Sequence, residues 1–152
     1  MDLLSTDGLS LNANTTFLDY DCGIGRVADR EALVGDLPGL VHDVAAGQLE
    51  FLIVTVTDGS FLQAAAITSS DGRVILEWQR RDGGAPVHYR LVTTATLGGP
   101  RVAPRRAGYQ GDLEVEGFTV EYAVQHFVSF VERGTPAPGA YLHDVSASYL
   151  GS

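Results

Sequence analysis

Four histidines, His42, His88, His126 and His143, a single cysteine, Cys22, and a set of carboxylates are the residues whose types could do chemistry in this chain. No two histidines stand three or four apart, and none belongs to a His-Glu-x-x-His or paired Cys/His spacing. A metal site would have to be assembled wholly by tertiary contacts. His143 and Asp144 are neighbours, and neighbouring side chains on a strand point to opposite faces, which prevents them from working by adjacency as an oriented acid/base pair. A nucleophilic Ser or Cys needs a base in reach and an oxyanion donor. Neither Asp58-Gly59-Ser60-Phe61 nor Asp21-Cys22-Gly23 matches the Gly-x-Ser-x-Gly or cysteine contexts that announce one. Gly23-x-Gly25 lacks the third glycine of a dinucleotide fingerprint and the Gly-Lys-Ser/Thr of a P-loop, and reads as a turn. Asp112, Glu114 and Glu116 alternate and would share one strand face. Such a row could pair a glycosidase-like dyad, but its commoner use is a solvated edge that deters aggregation. The expectation is a noncatalytic protein with no metal and no cofactor.

The elements that must position these residues follow from the hydrophobic pattern. Thr15 to Tyr20 is a first strand, ended by the turn at Asp21 to Gly25. Asp29 is a candidate N-cap for a helix through Leu33 and Val34, and Asp36 with Leu37-Pro38 can start a second helical stretch that stops at Gly47. One kinked helix and two separate helices both fit that pattern. Leu49 to Thr57, Phe61 to Thr68, Arg73 to Arg80 and Pro86 to Thr93 are then joined by Asp58-Gly59, Asp71-Gly72 and Asp82-Gly83-Gly84, an antiparallel meander. Val74, Leu76 and Trp78 should face the helices. His88 and Arg90 should share the opposite face, which antiparallel sheets often leave to solvent or a partner. Residues 1–14 read as a loosely ordered entry segment. Residues 94–111, with Arg101, Arg105 and Arg106, read as a long connection whose ordinary meaning is a solvated excursion and whose functional meaning would be anchorage to an acidic surface. Asp112 to Glu116 is a short strand, the stretch Phe118 to Pro136 holds a helix that Thr119 can N-cap and that Gly134 and Pro136 stop, and Tyr141 to Val145 is an edge strand. The sum is one α+β domain over residues 1–152, with an antiparallel sheet of about five or six strands packed against an N-terminal helical segment and a C-terminal helix.

Composition narrows the partner. The chain has a formal net charge of −9, and all ten of its basic residues are arginine. Two arginines stand against eleven acids in residues 1–72, seven against two in residues 73–106, and one against six in residues 107–152. Polyanions are repelled by such a chain as a whole, so nucleic acid is not the expected ligand unless the central arginines form a focused patch, and a basic protein is favoured. Acidity also serves plain solubility in many proteins. The lone cysteine forbids an intramolecular disulfide, and the N-terminus has no basic n-region followed by an apolar h-region, which together suit a soluble cytoplasmic protein with no membrane partner.

Ala123, Phe127, Phe130, Gly134 and Pro136, leading into the short apolar strand at Ala140 to Val145, resemble the C-terminal signature of the Imm1-like bacterial immunity proteins over residues 120–142. Tyr141 to His143 stand where a Trp often closes that strand. The resemblance implies a noncatalytic immunity protein that binds and neutralises a cognate secreted toxin, a nucleic-acid-targeting enzyme such as a deaminase or nuclease, in a one-to-one complex. Charge, not the resemblance, nominates Asp19, Asp21, Asp58, Asp112, Glu114 and Glu116 as toxin-binding residues, because a basic cleft built for nucleic acid attracts carboxylates. Two other readings compete: a small ligand-binding module or enzyme using the His88/Arg90 face, and a secretion adaptor or chaperone.

Overall fold

Gly59 sits at φ +90° and the Asp58 carboxylate accepts the Ser60 N–H at 2.7 Å, so the Asp-Gly pair reverses the chain as its residue types dictate. The computed structural model describes residues 4–9, 16–66, 72–81, 85–93 and 117–146. Among them nine strands occur: β1 (Leu4–Ser5), β2 (Phe17–Asp21), β3 (Arg26–Val27), β4 (Phe51–Val56), β5 (Phe61–Ala66), β6 (Arg73–Arg80), β7 (Val87–Thr93), β8 (Gly117–Thr119) and β9 (Ala140–Asp144). They form one antiparallel sheet in the order β1-β9-β7-β6-β5-β4-β2-β3. β8 pairs with Arg73 to Ile75 of β6, and β7 with Glu77 to Arg80. The expected α+β architecture is present, its six longer strands extended by three of two or three residues.

Two helices, α1 (Arg30–Ala45) and α2 (Val120–Arg133), cover one face. Asp29 caps α1 by accepting the Ala32 N–H at 3.0 Å. α1 is one helix with Pro38 inside it. An interior proline removes a helical hydrogen bond and costs about 3 kcal/mol, but Leu33, Leu37, Val41 and Val44 recur at helical spacing and are fully buried. Four such side chains stabilise the element by about 1.5–3 kcal/mol each, which outweighs the proline. α2 begins where Thr119 accepts the Tyr122 N–H and ends at Gly134, which takes φ +75° and donates its N–H to the Phe130 carbonyl. Its buried face, Ala123, Phe127, Phe130 and Val131, meets Leu52, Val54, Leu62, Leu76 and Trp78 in one core. Trp78 points inward as its register predicts and lies against Tyr89, with ring centroids 5.7 Å apart.

The entry segment is partly tied down. Thr6 is buried, donates its hydroxyl to the Ala140 carbonyl at 3.1 Å and accepts the Ala140 N–H at 3.0 Å. Asp7 accepts the Gly139 N–H at 2.7 Å, and Leu4 pairs with Leu142. Residues 4–9 are therefore part of the sheet edge, correcting their expected looseness; the rest of the segment lies outside the described residues, as do residues 94–111 and 112–116. No helix among the described residues is long and apolar enough to cross a membrane.

His126 locks the end of α2 to the chain that follows. It is 5% exposed, its Nδ1 accepts the Ala137 N–H at 3.1 Å, and Ser129 donates its hydroxyl to the Thr135 carbonyl at 2.9 Å. Burial lowers the imidazole from its ordinary 6.5 to about 4. Between those values the unfolded chain takes up a proton that the folded chain refuses, so stability falls as pH is lowered through that window and is full above it. Urea denaturation should show wild type losing on the order of 3 kcal/mol more than His126→Asn between pH 7 and pH 4; equal losses would place the histidine in water. Phe127→Ala should cost about 3–5 kcal/mol as a buried aromatic deletion, read as a lowered urea midpoint at an unchanged slope.

Candidate functional site

The face opposite the helices gathers most of the polar side chains that the sheet positions. Because β-strand side chains alternate, the pairing register alone defines it. One row runs across the sheet through His143, Arg90, Glu77, Gln63, Ile53 and Asp21, and the next through His88, Gln79, Phe61, Thr55 and Asp19. At the centre, Glu77 Oε2 lies 3.3 Å from Arg90 Nη2 and 3.5 Å from His88 Nε2. The Phe61 ring stands edge-on to His88, with centroids 6.3 Å apart.

This face is not the solvated surface that alternation predicts. Ile75 and Val92 are 3% and 2% exposed, and Glu77 and His88 are nearly as covered. A carboxylate taken from water must be compensated, and Glu77 is compensated by the Arg90 cation that the register of β6 and β7 brings beside it, with the His88 ring on its other side. Glu77 is the residue that sequence reasoning passed over: its place among Val74, Ile75, Leu76 and Trp78 makes it an acid inside an apolar run, which signals a buried partner. His88 beside Glu77 has the composition of an acid/base pair, yet the carboxylate is shared with an arginine, which makes the cluster an ion-pair network. Two open grooves among the described residues lie elsewhere. One of about 450 Å³ is lined by Phe17, Leu18, Arg30, Val131 and Glu132, and one of about 360 Å³ by Val124, Val128, Ala137 and Pro138.

The three nominated acids that are described, Asp19, Asp21 and Asp58, are spread along one side of the sheet rather than brought to a point. Asp19 and Asp21 share the outward face of β2. Asp58 lies past the other end of that strand, where Thr57 donates its N–H to the Thr16 carbonyl, so Asp21 and Asp58 are separated by about five residues of strand, roughly 17 Å. Each has local work. Asp19 is 3.6 Å from the Arg26 guanidinium with its side chain 13% exposed, Asp21 accepts the Gly23 N–H at 2.7 Å, and Asp58 holds its own turn. Asp112, Glu114 and Glu116, like Arg101, Arg105 and Arg106, lie outside the described residues. His143 and Asp144 do face apart; Asp144 accepts the Ser146 N–H at 2.9 Å, and the Ser146 side chain first, then this backbone bond, hold its carboxyl below the usual range. Ser60 is buried and accepts the Arg81 N–H, and Cys22 packs against the core. Among the described residues no three His, Cys, Asp or Glu side chains gather as a metal site.

A scan against protein-family models and searches of curated proteins and of solved structures return no match. The ion-pair network therefore stands on its geometry. Glu77→Gln should destabilise the fold by about 3 kcal/mol, because Arg90 keeps its charge without the carboxylate, whereas Glu77→Met combined with Arg90→Met should cost much less. Thermal and urea unfolding of the three proteins decide it: equal costs for single and double variants would mean that the pair is not coupled.

Proposed function

We propose that this chain is a noncatalytic cytoplasmic immunity protein that binds a cognate secreted toxin one-to-one and blocks access to its active site. The observation that carries the reading is the C-terminal unit. Ala123, Phe127 and Phe130 are buried on one face of a Thr119-capped helix, Gly134 closes it in a left-handed conformation, and Ala140–Asp144 returns to the sheet beside β7. A capped helix followed by a strand at these residues supports reading the unit through the immunity-protein resemblance. Charge supports it independently: at −9 the chain suits a basic partner, and a toxin acting on nucleic acid presents a basic cleft. The histidine nearest a carboxylate on the sheet is engaged in an ion-pair network, which favours binding over catalysis.

Co-expression with the toxin domain encoded beside this chain tests the proposal. Cells that carry both should survive, and cells that die equally fast with and without this protein would overturn immunity to that toxin. In the purified complex the association rate should fall roughly tenfold or more from low to high salt while dissociation changes little, since screening acts on long-range attraction before contact. A salt-indifferent association rate would remove electrostatic steering even where protection holds.

A further inference from the structure

Strand β2 is left without a neighbour along part of its outer edge. Thr57 donates its N–H to the Thr16 carbonyl, while Val56 donates to the Ser60 carbonyl and accepts from the Gly59 N–H, both on the side away from β2. Phe17 stands opposite Val56, so it belongs to an antiparallel pair that exchanges no bonds, and its own N–H and C=O point outward from β4. On that outer side β3 pairs only with Tyr20 and Asp21. It goes no further because Asp29 caps α1 and turns the chain into the helix. Among the described residues no hydrogen bond reaches the outward N–H and C=O of Phe17.

The place that a longer β3 would have filled is open. It is the groove of about 450 Å³, whose lining joins Phe17 and Leu18 of β2, Ala28 and Arg30 where the chain leaves β3, and Val131 and Glu132 of α2. Leu18 is 44% exposed there, a large aliphatic side chain at a strand edge. The two charged residues of the lining are set against the helices that carry them. Arg30 is the first residue of α1 and Glu132 the last but one of α2, and a cation at a helix N-terminus or an anion at a C-terminus opposes the helix dipole. Both side chains are exposed, and neither has a hydrogen bond or ion pair among the described residues although they line the same groove. An unpaired backbone donor and acceptor, an exposed leucine and two charges of opposite sign are the complement of an extended chain. Its backbone supplies the ladder bonds and its alternating side chains supply an apolar group and the opposite charges.

We infer that an extended segment of a protein partner adds to the free edge of β2 as a strand in line with β3. Its backbone bonds the Phe17 N–H and C=O, an apolar side chain covers Leu18, a carboxylate meets Arg30 and a lysine or arginine meets Glu132. The inference rests on the reading of this chain as a partner-binding protein and names where the partner attaches. A free ion would answer one of these groups and leave the strand edge and Leu18 in water. A second copy of this chain would bring another charge of −9 to the same edge and be repelled.

Leu18→Asp, Arg30→Glu and Glu132→Lys test it on the full chain, with the toxin domain used in co-expression as the probe. All three positions are exposed. Arg30→Glu and Glu132→Lys each turn a charge to suit the helix dipole, so they should raise the melting temperature while weakening binding roughly tenfold or more. A purely structural role would not produce that combination. Leu18→Asp should weaken binding as much, and Tyr122→Ala, exposed on α2 and outside the groove lining, should bind as wild type does. Amide hydrogen exchange reads the backbone contact itself: the Phe17 N–H should exchange readily in the protein alone and roughly a hundredfold more slowly in the complex. If the toxin binds wild type but leaves Phe17 exchange unchanged, or binds both charge variants as tightly as wild type, the strand addition is wrong and the proposed function stands. If the toxin does not bind wild type, the function fails for that toxin and a display library of random peptides decides the edge. Enriched peptides that protect the Phe17 amide and are lost on Arg30→Glu and Glu132→Lys support it; no enrichment, or enrichment indifferent to these changes, overturns it. Self-association in sedimentation that Leu18→Asp abolishes would make this edge an interface between copies and overturn it as well.

Discussion

Strand β6 is buried on both faces, and that constraint organises the rest of the molecule. It is hydrogen-bonded to β5 along one edge and to β8 and β7, end to end, along the other. Val74, Leu76 and Trp78 project into the helical layer, while Ile75 and Glu77 are covered on the outward side. Such a strand ordinarily reads as an unbroken apolar run, and Glu77 interrupts it. An uncompensated carboxylate in that position would cost more than several buried methyl groups return, so the register of β7 becomes obligatory. A slip of one residue would move Arg90 and His88 to the helical face and strand the Glu77 charge.

The inward demands of β6 explain the helices. Both α1 and α2 lie against β4, β5 and β6, and each reaches its position by a separate local device. α1 tolerates Pro38 because its buried stripe is continuous through it. α2 is delivered by β8, which pairs with the start of β6 and passes without a break into the helix at Val120. Its far end is held by side chains rather than by sheet: His126 and Ser129 bind the 135–137 backbone, and Thr6 and Asp7 hold the chain where β9 begins. The hydrogen bonds at Thr6 join residues 134 positions apart, a connection that no local pattern could announce.

What was legible in the sequence was what short-range chemistry decides. The Asp58-Gly59 turn, the Asp29 and Thr119 caps, the Gly134 stop and the inward alternation of Val74, Leu76 and Trp78 depend on residues within one turn or one strand. The short strands β1, β3 and β8 were not legible as such, since two or three residues carry no period and acquire strand geometry only from a partner. The bulge between Phe17 and Asp19 was equally hidden; it turns Phe17 inward against the core while keeping Asp19 outward. At the candidate site the difficulty was ambiguity of type. An aspartate in a turn reads alike whether it caps a backbone N–H or awaits a partner, and Asp21 and Asp58 both cap. Ile24 left a clearer trace: a large aliphatic residue between two glycines in a turn has no core within reach.

The carboxylates therefore divide by whether the fold uses them. Asp7, Asp21, Asp29, Asp58 and Asp144 satisfy backbone N–H groups, Asp19 meets Arg26, and Glu77 holds Arg90 and His88. Removing Glu77 would leave an unbalanced cation in a largely covered place, whereas the other bonds lie at or near the surface, where water can replace them. Asp36, exposed on α1, has no hydrogen bond or ion pair among the described residues, and Asp43 on the same helix meets only the exposed His42. An exposed carboxylate needs no partner inside the chain, so the fold's demands on its acids are set by burial rather than by their number.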